Sequence, residues 1–219
     1  MQNGCKQLKL SHQMTQEEVA EKLREIKRSF RLEMNGTASQ SMRDKGLDYK
    51  LNWGVNLPQL KQQAQTIGKD YDLAVALWKE DIRECKILAT LIMPAENMPE
   101  EVAGIWMEQT RSQEMAEMQA FNLYQYCPFG AKLAYQWIAT DNDLRQICGY
   151  GILSRLFMRG QEPNERGINE FIDQSVTALK GGSTGVRHAA MNALLRFRDL
   201  GLVYERLVDG ALHKEGIEL

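Results

Sequence analysis

Apolar residues recur along this chain every three or four positions, in short runs broken by polar turns. That spacing is the signature of amphipathic helices. The first run opens with Thr15 and Glu18, three residues apart in a capping-box pattern. It continues through Val19, Leu23, Ile26 and Phe30, and Asn35-Gly36 is expected to end it. Residues 35–55 are polar and irregular, which predicts either a long connection or a short extra turn. Asn56 then caps a helix with Pro58 in its first turn, where a missing N–H breaks no intrahelical bond. Further helical runs follow over 70–78, 82–92, 99–110, 112–126, 129–139, 144–151, 168–179, 186–197 and 204–211. No segment alternates with period two, so no sheet is predicted.

Three of these runs begin alike. Ile82-Arg83, Leu144-Arg145 and Val186-Arg187 each follow a helix and a short polar turn. The first interval leaves room for another pair, 99–110 with 112–126. The unit is a helix–turn–helix of about 30 to 42 residues, in the range of HEAT and armadillo repeats. One pair cannot bury its own apolar face, so neighbours must stack. The expected fold is therefore all-α, a HEAT-like or armadillo-type α-α superhelix of about five to six helix pairs. It forms one domain over 1–219, with 1–13 flexible.

Composition narrows the function. Of the 219 residues 43% are hydrophobic and 26% charged, as in an ordinary globular chain. The formal net charge of −2 means that any nucleic-acid role must rest on local clusters of cations. Cys5, Cys85, Cys127 and Cys148 form no C-x-x-C and read as reduced, buried thiols of a cytoplasmic protein. The first ten residues lack the apolar core of a signal peptide, and no run is long enough to span a membrane. His12, His188 and His213 are isolated, so neither metal nor cofactor is expected. Gly149-Tyr150-Gly151 follows no strand and reads as close helix packing, not a phosphate loop.

One stretch carries a resemblance. Trp53-Gly54-Val55-Asn56-Leu57-Pro58-Gln59-Leu60, then Leu77-Trp78, then Glu84-Cys85-Lys86-Ile87-Leu88-Ala89 resembles the DNA alkylation repair family. Its pattern there is roughly G-V-x-x-P-x-L, L-W and E-x-R-x-L-A, with Lys86 standing where Arg is usual. The resemblance implies a solenoid that holds duplex DNA on its concave face. Active members are glycosylases that excise alkylated purines, using a carboxylate to stabilise oxocarbenium-like charge.

In this chain the family's aromatic and carboxylate positions fall on Met115 and Gln119. Two arginine positions fall on Gln146 and Ile147, and a later aromatic on Asn192. An amide cannot carry the charge of a carboxylate. Glu114 and Glu117, three residues apart on one helical face, are the substitute catalytic candidates; the alternative is a solvated acidic face. Arg83, Lys86, Arg145, Arg187, His188 and Arg196 are the candidate DNA contacts, since they fall on the second helix of each pair. Met115, Gln119, Asn122, Ile147 and Asn192 are expected to line the groove. The competing expectation is a non-enzymatic scaffold for a protein partner.

Overall fold

The computed structural model describes residues 15–217. The expectation for 1–13, and those for Cys5 and His12, lie outside the described residues. Among the described residues there are twelve α-helices and no strand. They are α1 (Gln16–Leu32), α2 (Gly36–Asp44), α3 (Leu57–Ile67), α4 (Tyr71–Lys79), α5 (Arg83–Ile92) and α6 (Glu100–Glu108). The second half holds α7 (Gln113–Asn122), α8 (Gly130–Ile138), α9 (Asp143–Met158), α10 (Glu165–Lys180), α11 (Thr184–Arg198) and α12 (Leu202–Lys214).

Polar caps set most of the boundaries. Thr15 and Glu18 form a reciprocal capping box at α1, and Asn56 with Gln59 does the same at α3. Asp70, Ser112, Asn142 and Asn164 cap α4, α7, α9 and α10. Two expectations need adjusting. Asn35-Gly36 starts a helix as well as following one: the Asn35 side chain accepts from the Ala38 N–H and caps α2. The run expected to reach 126 stops at Asn122, because Leu123 leaves helical geometry and Tyr124–Tyr126 forms a 3-10 turn.

The helices stack in two layers. α3, α5, α7, α9 and α11 pack side by side, each on the next. α4, α8, α10 and α12 back them, and α1 packs on α4. Aromatic side chains join helices within and between the layers. Trp78 of α4 stacks on Trp106 of α6 with centroids 4.2 Å apart, and donates its N–H to Gln109 Oε1 at 2.8 Å. Tyr150, Phe157, Phe171, Phe197 and Tyr204 meet mostly edge-on across α9 to α12. Such pairs add about 0.5–1.5 kcal/mol each beyond their burial.

The segment after α2 runs back as an extended arm. It pairs with the start of α5 through a parallel bridge between Leu51 and Ile82. Its tip wraps a buried anion. The Glu84 carboxylate has no solvent exposure and accepts backbone N–H groups from Trp53 (3.2 Å), Gly54 (3.0 Å) and Val55 (3.3 Å). Gly54 is required there. Its φ is +71°, and a Cβ would sit 2.3 Å from the Asn35 carbonyl oxygen. Arg83 lies against the same carboxylate at 3.3 Å, donates to the Val55 carbonyl at 3.0 Å, and forks onto Glu114 of α7. Burial alone would lower its pKa; Glu114 and Glu84 outweigh that and raise it.

Removing one partner of a buried ionic network typically costs about 3–5 kcal/mol. Glu84→Ala should therefore lose about that much stability in urea unfolding, whereas Glu114→Ala, at the half-exposed end, should lose less. Equal losses would contradict the ranking. A second test uses the thiols. Cys85 and Cys148 are fully buried, and burial raises both pKa values; that of Cys127 is pushed up to about 12. A thiol raised in the folded state keeps its full contribution below the unfolded value of about 8.5 and loses it as pH rises toward the folded one. Stability should hold to about pH 8 and then fall, by up to about 1.4 kcal/mol per pH unit for each thiol. The fall should be shallower in Cys148→Ala, measured as urea midpoint against pH.

Candidate nucleic-acid groove on the inner helices

The inner helices are built from rows of residues four apart. Gln113, Glu117 and Phe121 form one row on α7, Ile147, Gly151 and Arg155 another on α9, and His188, Asn192 and Arg196 a third on α11. Residues four apart lie on one helical face. The three rows together wall a cleft of about 290 Å³, completed by Ser154, Met158 and Ala189.

Small residues let the rows approach. A Cβ on Gly151 would lie 3.0 Å from Ala120 Cβ and 3.3 Å from the Phe121 ring. One on Gly185 would lie 2.8 Å from Gln113 Oε1 and 3.0 Å from Ile147. Gly149, on the opposite side of α9, lies as tightly against α8: its Cβ would be 2.8 Å from the Ala134 carbonyl.

The cleft combines an aromatic face, cations and a carboxylate. The Arg155 guanidinium lies over the Phe121 ring, 4.2 Å from its centroid. Glu117 accepts from Gln113 Nε2 at 2.8 Å. Arg196 is exposed and pairs with Asp199 at 3.1 Å. On its other side Phe121 borders a second hollow, of about 450 Å³, whose walls include Lys61, Lys69, Asn122 and Tyr126. Lys69 donates to the Leu91 and Met93 carbonyls at the end of α5, and burial lowers its pKa. The two hollows meet at Phe121 and make one groove. Its lining offers Lys61, Lys69, Arg155 and Arg196 against the single carboxylate of Glu117.

The structure sorts the residues expected from sequence. Glu117, Ile147, His188, Asn192 and Arg196 are in the cleft, with Ile147 as its buried floor. Arg83 and Lys86 are not available to a phosphate. Arg83 is 4% exposed and holds Glu84 and Glu114. Lys86 lies over the Trp78 ring and donates to the Trp78 carbonyl at 2.7 Å. Burial lowers its pKa.

Glu114 is committed to Arg83 and leaves the catalytic candidates. Arg145 is half-buried, 3.8 Å from Glu108, and outside the cleft lining. Arg187 is exposed one position before His188, with its guanidinium on Thr184 Oγ1 at 3.2 Å. Met115 and Gln119 are buried on the other side of α7, where Gln119 meets Thr110 at 3.1 Å. They do not line the groove. Asn122 lines the second hollow and donates to Thr90 at 2.9 Å.

Phe121, Arg155 and Met158 were not expected from sequence. The signal was available in the four-residue spacing of Glu117 and Phe121 and of Gly151 and Arg155, which puts each pair on one helical face. Among the described residues no cluster of three or more His, Cys, Asp or Glu could hold a metal. No helix among them is long and apolar enough to cross a membrane.

The family model described as "DNA alkylation repair enzyme" matches residues 11–215. A solved structure described as "A new family of proteins related to the HEAT-like repeat DNA glycosylases with affinity for branched DNA structures" superposes with a TM-score of 0.75. It is 16% identical, and the match covers 87% of this chain and 80% of that one. No curated protein matches the sequence.

The contact at Gly151 can be tested directly. Overpacking a tight helix contact costs about 1–3 kcal/mol. Gly151→Val should destabilise by that amount, read by urea unfolding, whereas Gly104→Val, in open space on α6, should cost under about 1 kcal/mol.

Proposed function

This chain belongs to the DNA alkylation repair enzyme family, and we propose that it binds duplex DNA along the groove over α3, α7, α9 and α11. The observation that carries the reading is the groove's charge. Its two hollows adjoin at Phe121 and are lined by four cations, Lys61, Lys69, Arg155 and the Asp199-paired Arg196, against the one lining carboxylate of Glu117, in a chain whose formal net charge is −2. Phosphate contacts supply most nucleic-acid affinity, and the stacked Phe121–Arg155 pair offers a face for a base. The solved relative's stated affinity for branched DNA makes a junction a second substrate to test. Buried, unpaired thiols suit a reducing compartment, so the cytoplasm is the proposed location.

A second reading is excision of an N-alkylated purine. Glu117 favours it, as the groove's carboxylate one turn from Phe121. The C1′–N bond would break as the cationic purine leaves as a neutral base, Glu117 would stabilise the positive charge that develops on the sugar, and water would add at C1′ and give up its proton to Glu117 and then to solvent.

Fluorescence anisotropy with a labelled duplex at low salt tests the first reading. Arg155→Glu/Arg196→Glu should weaken binding at least tenfold. Losing two phosphate contacts should also flatten the log–log salt slope by about 2. Absence of duplex binding at low salt, or an unchanged affinity in the double variant, would overturn it. Release of free N-methylpurine from methylated DNA, abolished by Glu117→Gln, would establish excision. No release by the unaltered protein would remove it and leave a binding protein.

A further inference from the structure

A second cavity lies away from the groove, where α1, the extended arm and the α4–α5 turn meet. Its volume is about 550 Å³, and it shares no lining residue with the groove. Its apolar walls are Leu51, Trp53 and Ile82. Leu51 is 41% exposed, and Trp53 is half-buried.

Around these walls stand seven charged residues, five basic and two acidic. Both acids are already neutralised. Glu80 pairs with Lys27 at 3.1 Å, and Asp81 pairs with Arg111 from outside the cavity. Arg28, Arg31, Lys50 and Lys79 are left, all exposed and none paired with a carboxylate among the described residues. Four unopposed cations within one cavity repel one another, and an anionic ligand relieves that repulsion.

An aromatic wall inside a rim of cations suits single-stranded nucleic acid. Bases stack on aromatic faces regardless of sequence, and cations follow the backbone. Duplex DNA keeps its bases stacked inside and cannot use the wall. We propose that this cavity is a second DNA site, one that takes an unpaired nucleotide. The base lies against Trp53 and Leu51, and its flanking phosphates meet Arg28, Arg31, Lys50 and Lys79. This rests on the reading that the chain binds DNA. The two sites together would hold a duplex in the groove and a displaced strand in the cavity.

Tryptophan fluorescence reports on this cavity selectively. Trp78, Trp106 and Trp137 are 3%, 3% and 6% exposed, so Trp53 is the indole within reach of a ligand. Titrating the full chain with an eight-nucleotide oligo-dT should quench emission. Four phosphate contacts predict a log–log salt slope of about −3, at about 0.7 per contact on a single strand. Arg28→Glu/Arg31→Glu should weaken the quench-detected affinity at least tenfold. Trp53→Phe should abolish the quench.

A duplex carrying a single-stranded flap should bind the unaltered protein at least tenfold tighter than the same duplex without one. Lys50→Glu, on the exposed arm, and the Arg28/Arg31 variant should erase that preference and leave duplex affinity within about twofold. Absence of quenching, quenching that survives Arg28→Glu/Arg31→Glu, or equal quenching by polyglutamate would overturn the proposal. Duplex binding without quenching would refute the cavity and spare the groove; quenching without duplex binding would do the reverse.

Discussion

Everything on the first half of the inner layer depends on one buried carboxylate. Glu84 sits at the start of α5 with no exposure to water. Taking an anion out of water costs several kcal/mol unless its lone pairs are met. Here three successive backbone N–H groups and a guanidinium meet them. That demand explains the sequence around it. Trp53-Gly54-Val55 must turn its amides inward, Gly54 must adopt positive φ without a Cβ, and Arg83 must stay beside the anion. The motif that signals kinship is thus a structural clamp. It holds the arm against α5 and reaches α7 through Glu114.

The clamp has a consequence for chemistry. It takes Glu114 and Arg83 out of the groove, and the family's carboxylate position is occupied by an amide that meets Thr110 in the α6–α7 turn. What faces the groove is a different face of α7, the row Gln113–Glu117–Phe121, together with the row on α9 that runs on from Ile147 to Arg155. There an arginine lies over an aromatic ring, and a carboxylate is held by a neighbouring glutamine. Glycine at 151 brings this row together, because any larger residue would press on Phe121.

The sequence made the architecture legible wherever a cap or a stop residue stood beside an apolar stripe. Asn56 with Gln59, Asp70 and Gly68 mark helix ends that the chain adopts. Residues 35–55 were not legible, because the end of the arm, Trp53 to Val55, is ordered by Glu84, a residue some thirty positions on whose N–H partners leave no periodic signal. The groove was half legible. Glu117, His188, Asn192 and Arg196 could be placed from helical register. Arg83 and Lys86 could not, since register places a cation on a helix but does not say whether a neighbour has claimed it. Phe121 and Arg155 lie outside the positions that match the family's pattern, and an apolar ring on a helix reads as core until its neighbours are known.

Hydroxyl-radical footprinting with and without duplex DNA tests most directly whether this groove is the working surface. Met158 is 53% exposed at the cleft wall, and Phe121 stands where the two hollows meet. If DNA lies in the groove, oxidation of Met158, Phe121 and His188 should fall together on adding DNA, while Leu202 and Val203 on α12 stay unchanged. Unaltered oxidation of Met158 and Phe121 under conditions where DNA is bound would contradict the assignment.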